Sequence, residues 1–161
     1  MALDDLYREV ILDHYAHPRN RGKLEPNDIA VEGANPLCGD ELMLYLNLRD
    51  GRVEDVRFEG HGCSISQASA SMMTGAIKGK TLDEVRALVA AFKGMMHGEE
   101  PSDEMGDLVA LQGVRKFPVR VKCATLPWVS LEQGLDEYSA RLGWTVGVYR
   151  KSGSGDDLAR G

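Results

Sequence analysis

The chain has 161 residues, of which 43% are hydrophobic and 27% charged, the composition of one soluble globular domain with enough length for a core. Its formal net charge of −6, with the basic residues scattered, argues against a phosphate-binding surface and so against nucleic acid as a partner. No apolar run approaches the roughly 20 residues of a membrane span, and the opening MALDDLYREV is acidic and unlike a signal peptide, so the expected setting is the cytoplasm.

Residues 3–16 carry Leu3, Leu6, Tyr7, Val10 and Ile11 at helical spacing, with Asp4 and Asp5 where the helix dipole favours anions; HPRNRG then stops the helix. DIAVEG is a weaker strand candidate, whereas DELMLYLNL alternates, with Leu42, Leu44, Leu46 and Leu48 on one face. RDGR supplies an Asp-Gly hairpin turn, and VEDVRFEG returns as the partner strand. From Ser64, SISQASASMMTGAIKGK has the composition and length of a helix that ends at Gly79. TLDE reads as a capping box, with Thr81 as cap and Glu84 reaching back, and opens the helix VRALVAAFKGMM. HGEEPSDEMG is expected to be an acidic loop, DLVALQGV a short helix, and FPVRVKCATLPWVSLEQGLDEY a further helix broken or kinked around Pro127. The Gly-, Ser- and charge-rich end is expected to be a flexible tail over residues 144–161, after a single domain over residues 1–143. Helix, strand meander, then helices is an α+β order: a small antiparallel three-stranded sheet with helices packed on one face.

The chemistry rests on three isolated cysteines, Cys38, Cys63 and Cys123, none in a CxxC pair. In a reducing compartment such cysteines are metal ligands, nucleophiles or small buried hydrophobes, not disulfides. Cys38 lies twelve residues before Asp50, and Cys63 lies twelve after Gly51. Folding the hairpin at that turn therefore brings Cys38 and Cys63 together at its open end. Gly39 lets the chain bend so that the Cys38 thiolate and the Asp40 carboxylate converge on one ion, although an aspartate beside a glycine is also an ordinary turn residue. Cys123 is the expected third thiolate, with Arg120 and Lys122 beside it to favour the charged form, unless these two cations only form a solvated helix face. Zinc accepts three thiolates and a carboxylate in a tetrahedron. An iron–sulfur cluster also takes thiolates, but a carboxylate oxygen is a harder, poorer fourth ligand, suited to a cluster that must leave. His61 lies near Cys63 but reads more simply as a loop residue. His14, His17 and His97 show no ligand spacing, and Met72, Met73, Met95 and Met96 fit a gap-filling core or an adaptable surface.

NPLCGD, GHGCSISQASASMM and RVKC, in that order and behind the opening LYREVILDHYAHPRNRG, resemble the three cysteine motifs and first helix of the U-type iron–sulfur cluster assembly proteins. That group includes IscU, the N-terminal domain of NifU, and SufU. The resemblance covers roughly residues 3–140. It implies a short antiparallel sheet packed with helices and a metal- or cluster-binding set of Cys38, Asp40, Cys63 and Cys123, with Arg120 near the transfer site. Lys122 stands where IscU-type members have a histidine, and the segment carrying HGEEPSDEMGDL is longer; both features look like the SufU branch. For that branch the resemblance implies bound Zn2+, sulfur acceptance from a SufS-type cysteine desulfurase, and delivery toward downstream iron–sulfur assembly proteins.

Three functions are weighed on these residues. The first is a zinc-dependent acceptor of persulfide sulfur, with Cys123 as the expected acceptor because of its basic neighbours. The second is a scaffold on which an iron–sulfur cluster is built and transferred. The third, a purely structural zinc domain, is disfavoured because closed structural sites use Cys and His rather than Asp.

Overall fold

The computed structural model describes residues 3–36 and 39–141. Cys38 and the expected tail, residues 144–161, lie outside the described residues. The elements in chain order are α1 (Leu3–Ala16), β1 (Ile29–Asn35), β2 (Asp40–Arg49), β3 (Arg52–His61), α2 (Ser64–Ile77), α3 (Leu82–Met96), a 3-10 segment (Asp103–Lys116) and α4 (Pro118–Arg141).

The sheet is antiparallel, in the order β1-β2-β3, as the alternating pattern of β2 demands. Register places Val31, Leu44 and Phe58 side by side, and Leu46 beside Ile29 and Val56. All six are buried, so the three strands present one continuous apolar face. The other face carries Glu32, Met43, Arg57 and Glu59 toward solvent. A register shift at Asn47/Leu48 ends the strict alternation, which leaves Leu48 half-buried. Asp50 and Gly51 both adopt positive φ, 54° and 76°, the pairing that a two-residue hairpin turn requires. The weak strand signal over DIAVEG is a full strand in the structure, and it extends to Asn35. The free edge of β3 is covered by residues 20–22: the Gly22 N–H donates to the Phe58 carbonyl, and the Phe58 N–H donates to that of Asn20.

The helices pack on the apolar face of the sheet, as expected for α+β. α3 opens with the anticipated capping box: Thr81 Oγ1 accepts from the Glu84 N–H, and Glu84 Oε1 accepts from the Thr81 N–H. Met72, Met73, Met95 and Met96 are all core residues.

Two expectations are corrected. The acidic loop is shorter than its composition suggests, because helical structure begins at Asp103 and continues, across a break at Gly106 (φ 53°, ψ −129°), to Lys116. The segment is 3-10 rather than α: buried Met105, Leu108, Leu111 and Val114 recur every third position, with Ala110 buried beside them, and i and i+3 eclipse one another in a 3-10 helix. Second, α4 is one helix of 24 residues that runs through Pro127. Proline cannot donate a backbone hydrogen bond, but here side chains brace the helix. Ser69 Oγ donates to the Ala124 carbonyl at 2.6 Å and accepts from Trp128 Nε1 at 3.1 Å. The Trp128 ring stacks on Phe92 with centroids 4.5 Å apart. These contacts hold α4 against α2 and α3 and fix the position of its N-terminal half, where Cys123 sits.

Candidate metal centre

Three elements meet at the open end of the β2–β3 hairpin. Asp40 is the first residue of β2, Cys63 follows β3 and caps the N-terminus of α2, and Cys123 lies in the second turn of α4. One donor atom from each of Asp40, Cys63 and Cys123 lies within 4.8 Å of the other two. Asp40 is 1% exposed and Cys123 0%, while Cys63 is half-buried. The fourth residue of the expected set, Cys38, is outside the described residues.

Asp40 is held by the chain it faces. Its Oδ1 accepts the backbone N–H of Cys63 at 2.8 Å, which leaves Oδ2 turned to the Cys63 sulfur at 3.9 Å. Gly39 has φ 69°, the left-handed bend the sequence called for between residues 38 and 40. Gly62 is required for a different reason: a Cβ there would collide with the Asp40 carboxylate and press on the Ser66 hydroxyl. Ser66 donates to the Cys63 carbonyl at 3.1 Å and sets its own oxygen 3.9 Å from the Cys63 sulfur.

Arg120 is exposed, yet its guanidinium reaches in to both sulfurs. The hydrogen bond to Cys123, the charge of Cys63 and the hydrogen bond to Cys63 hold the Arg120 pKa above the ordinary guanidinium value. The two cations expected to flank Cys123 therefore part company. Arg120 serves both thiols, whereas Lys122 is exposed while Cys123 is enclosed. The histidines are accounted for elsewhere. Exposed His61 pairs with Glu41 at 3.7 Å, His17 with Asp13, and His97 with the Lys93 carbonyl; buried His14 bonds Ser71 at 2.8 Å.

The donor set fits a thiolate-binding divalent metal. Zinc–sulfur and zinc–oxygen bonds of about 2.3 and 2.0 Å at tetrahedral angles put ligand atoms roughly 3.5–3.8 Å apart. The 3.9 Å between Asp40 Oδ2 and the Cys63 sulfur is close to that spacing. Sequence reasoning did not find Asn35, whose Nδ2 lies 3.9 Å from the Cys123 sulfur, or Ser66. Beside the centre lies a mostly apolar groove of about 370 Å³ between α1, α2 and the start of α4, with Tyr7, Ile11, Leu12, Ile65, Phe117 and Arg120 among its walls.

Comparison with known proteins agrees with this fold. Residues 6–142 match the NifU-like N-terminal domain, and the chain belongs to that family. It is 54% identical over 135 residues to the zinc-dependent sulfurtransferase SufU of Bacillus subtilis (strain 168), an alignment that covers 83% of this chain and 91% of the relative. It is 42% identical over 135 residues to the iron–sulfur cluster assembly scaffold protein IscU of Streptococcus pyogenes serotype M1, covering 83% and 84%. Among solved structures, a candidate iron–sulfur cluster assembly scaffold protein for the SUF system from Fervidobacterium islandicum AW-1 superimposes with a TM-score of 0.77 at 38% identity, covering 83% of this chain and 99% of that one. The N-terminal part of a NifU-like protein from Brucella abortus superimposes at 0.78 with 28% identity, covering 86% and 98%. Iron–sulfur cluster assembly is thus the field in which this protein works. Among the described residues no helix is long and apolar enough to cross a membrane.

Proposed function

We propose that this protein accepts persulfide sulfur from a SufS-type cysteine desulfurase in the cytoplasm, at a zinc centre built from Cys38, Asp40, Cys63 and Cys123, and passes it toward downstream iron–sulfur assembly proteins. The observation that carries this reading is the convergence of the Asp40, Cys63 and Cys123 donors within 4.8 Å under one guanidinium. The relative named a zinc-dependent sulfurtransferase supports the choice of metal and of chemistry.

Bound zinc would keep the thiols deprotonated and draw the hairpin end, α2 and α4 together. The residues of the chain do the rest. Asp40 is the one oxygen donor of the set and the one most readily exchanged for a partner side chain, since thiolates are the softer ligands. Arg120 lies against both sulfurs and offsets the negative charge that three thiolates and a carboxylate bring together. Transfer is thiol–persulfide exchange. A thiolate here attacks the outer sulfur of the partner's persulfide, a new S–S bond forms, the partner's S–S bond breaks, and the partner cysteine leaves as thiolate. Electrons balance, so no external oxidant is needed.

The acceptor must be reachable by the partner. Cys123 was the candidate on sequence grounds, but it is 0% exposed and shares Arg120 with half-buried Cys63. Cys123 therefore stays a ligand, and acceptance falls to Cys63 or Cys38. Exposed Phe117 and Val119 beside Arg120, together with the adjoining groove, offer the partner an apolar footing. The test is to incubate the protein with desulfurase and cysteine, then locate the added sulfur by peptide mass spectrometry. Sulfur on Cys63 or Cys38 is expected; sulfur confined to Cys123 contradicts the assignment.

A second reading, a scaffold for a transferable cluster on the same residues, is favoured by the IscU relatives and by the single oxygen donor in a thiolate set.

A further inference from the structure

The core-facing row of β1 runs Ile29, Val31, Gly33, Asn35. Ile29 and Val31 are aliphatic and 3% and 4% exposed, as a row facing the helices should be; Asn35, at 7%, is an amide. A buried amide costs free energy unless it is bonded, so its placement in an apolar row needs a partner. The partner is sulfur: Asn35 Nδ2 lies 3.9 Å from Cys123 Sγ, within reach of an N–H···S hydrogen bond. Asn35 is also the register partner of Asp40. Directly opposed residues of an antiparallel pair place their side chains on the same face, so one end of the β1–β2 ladder presents the Asp40 carboxylate and an amide donor side by side toward α4. A thiolate can only accept, which makes the NH2 end of the amide the one that faces it. The donor is neutral, so it relieves charge on sulfur without adding an ion that would have to be buried.

We propose that Asn35 is a positioning residue of the metal centre, donating its side-chain N–H to the Cys123 thiolate and so marking Cys123 as the ligand the site keeps while sulfur is accepted elsewhere. This rests on the reading of the site as a metal-held thiolate set. Arg120 bonds both thiols. The Cys63 thiol faces two acceptors, the Ser66 hydroxyl oxygen and the Asp40 carboxylate, whereas Cys123 faces the Asn35 amide donor. The amide thus gives the two sulfurs different surroundings.

The test uses the full chain, freed of metal and reloaded with Co2+ or Zn2+. Asn35→Leu keeps the size and removes the donor; Asn35→Asp keeps the shape and replaces the donor with a carboxylate. In both, the thiolate-to-cobalt charge-transfer bands should move to lower energy, because a sulfur that loses its hydrogen bond holds its electrons less tightly. Zinc should pass to a competing chelator with an apparent affinity about 10-fold or more weaker, the usual consequence of losing a partner of a metal ligand. Circular dichroism checks that each variant is folded. An independent measurement leaves the sequence intact: in 15N-labelled protein loaded with 113Cd2+, the Asn35 side-chain amide should shift and couple to the cadmium through the N–H···S bond. Unchanged bands and unchanged zinc competition in folded variants overturn the proposal. So does an Asn35 amide resonance that ignores cadmium, which decides the matter if neither variant folds. If the unmodified protein shows no thiolate-to-cobalt bands at all, the metal-centre reading fails and this proposal fails with it.

Discussion

The backbone N–H of Cys63 is bonded to the carboxylate of Asp40 across 2.8 Å, so the residue that starts β2 and the residue that ends the β3 excursion are fastened to each other. A metal at this centre therefore meets a hairpin end that is already closed. Asp40 has two tasks, one oxygen for the backbone and the other facing the Cys63 sulfur.

Replacing Asp40 with alanine should separate those tasks. The exchangeable oxygen ligand is lost, so sulfur turnover with the desulfurase should fall by about 10-fold or more while the thiolates retain the metal. Losing the bond to the Cys63 N–H should also cost about 1–3 kcal/mol in stability. Turnover, metal content and a denaturant midpoint, measured together, check this. Complete metal loss with unfolding would make Asp40 a structural ligand.

Gly62→Ala places a methyl against the Asp40 carboxylate and the Ser66 hydroxyl. The expected result is a loss of about 1–3 kcal/mol, as for other overpacked sites. Zinc release should also be faster than in the unmodified protein. Chelator-competition kinetics beside thermal unfolding test it.

Ser69→Ala should act on the fold and not on the metal. The hydroxyl bridges the Ala124 carbonyl and the indole N–H of Trp128, whose ring stacks on Phe92. Removing it leaves buried polar groups without that partner, at a cost of about 1–3 kcal/mol. The melting temperature should drop with zinc per folded chain unchanged.

His14 gives the fold a pH dependence. Burial, followed by the nearby Arg19 charge, holds its pKa below the ordinary histidine value of 6.5. Well above that value His14 is neutral in both folded and unfolded chains. As pH falls through it the unfolded chain takes up the proton first, so stability declines until folded His14 titrates as well. The slope is at most about 1.4 kcal/mol per pH unit. Urea midpoints should be lower at about pH 5.5 than at about pH 7.5, and His14→Asn, which can still bond Ser71 but cannot titrate near neutrality, should flatten that difference.

Much of the centre was legible because its geometry follows from local rules. Strict alternation defined β2, an Asp-Gly pair defined the turn, and equal arms on either side of that turn brought the hairpin ends together. Thr81 and Glu84 announced α3 because a capping box is a purely local device. What escaped detection depends on contacts distant in sequence. Asn35 stood in the NPLCGD motif without a role of its own; its meaning appears only when α4 brings Cys123 to the end of β1. Pro127 read as a break or kink because its missing N–H is visible in sequence, whereas the Ser69 brace 58 positions earlier, on which an unbroken helix rests, is not. Adjacency in sequence also misled: Lys122 precedes Cys123, but neighbouring positions on a helix point about 100° apart, while Arg120 lies three positions back and shares its face. The threefold spacing of Met105, Leu108, Leu111 and Val114 was present throughout and marks the 3-10 segment.

The central claim is that Cys38, Asp40, Cys63 and Cys123 hold one zinc ion at a sulfur-accepting site. Metal and acid-labile sulfide analysis of the protein purified without oxygen tests it most directly. Zinc near one per chain without sulfide is the expected result. Stoichiometric iron and sulfide in place of zinc would contradict it and establish the cluster scaffold instead.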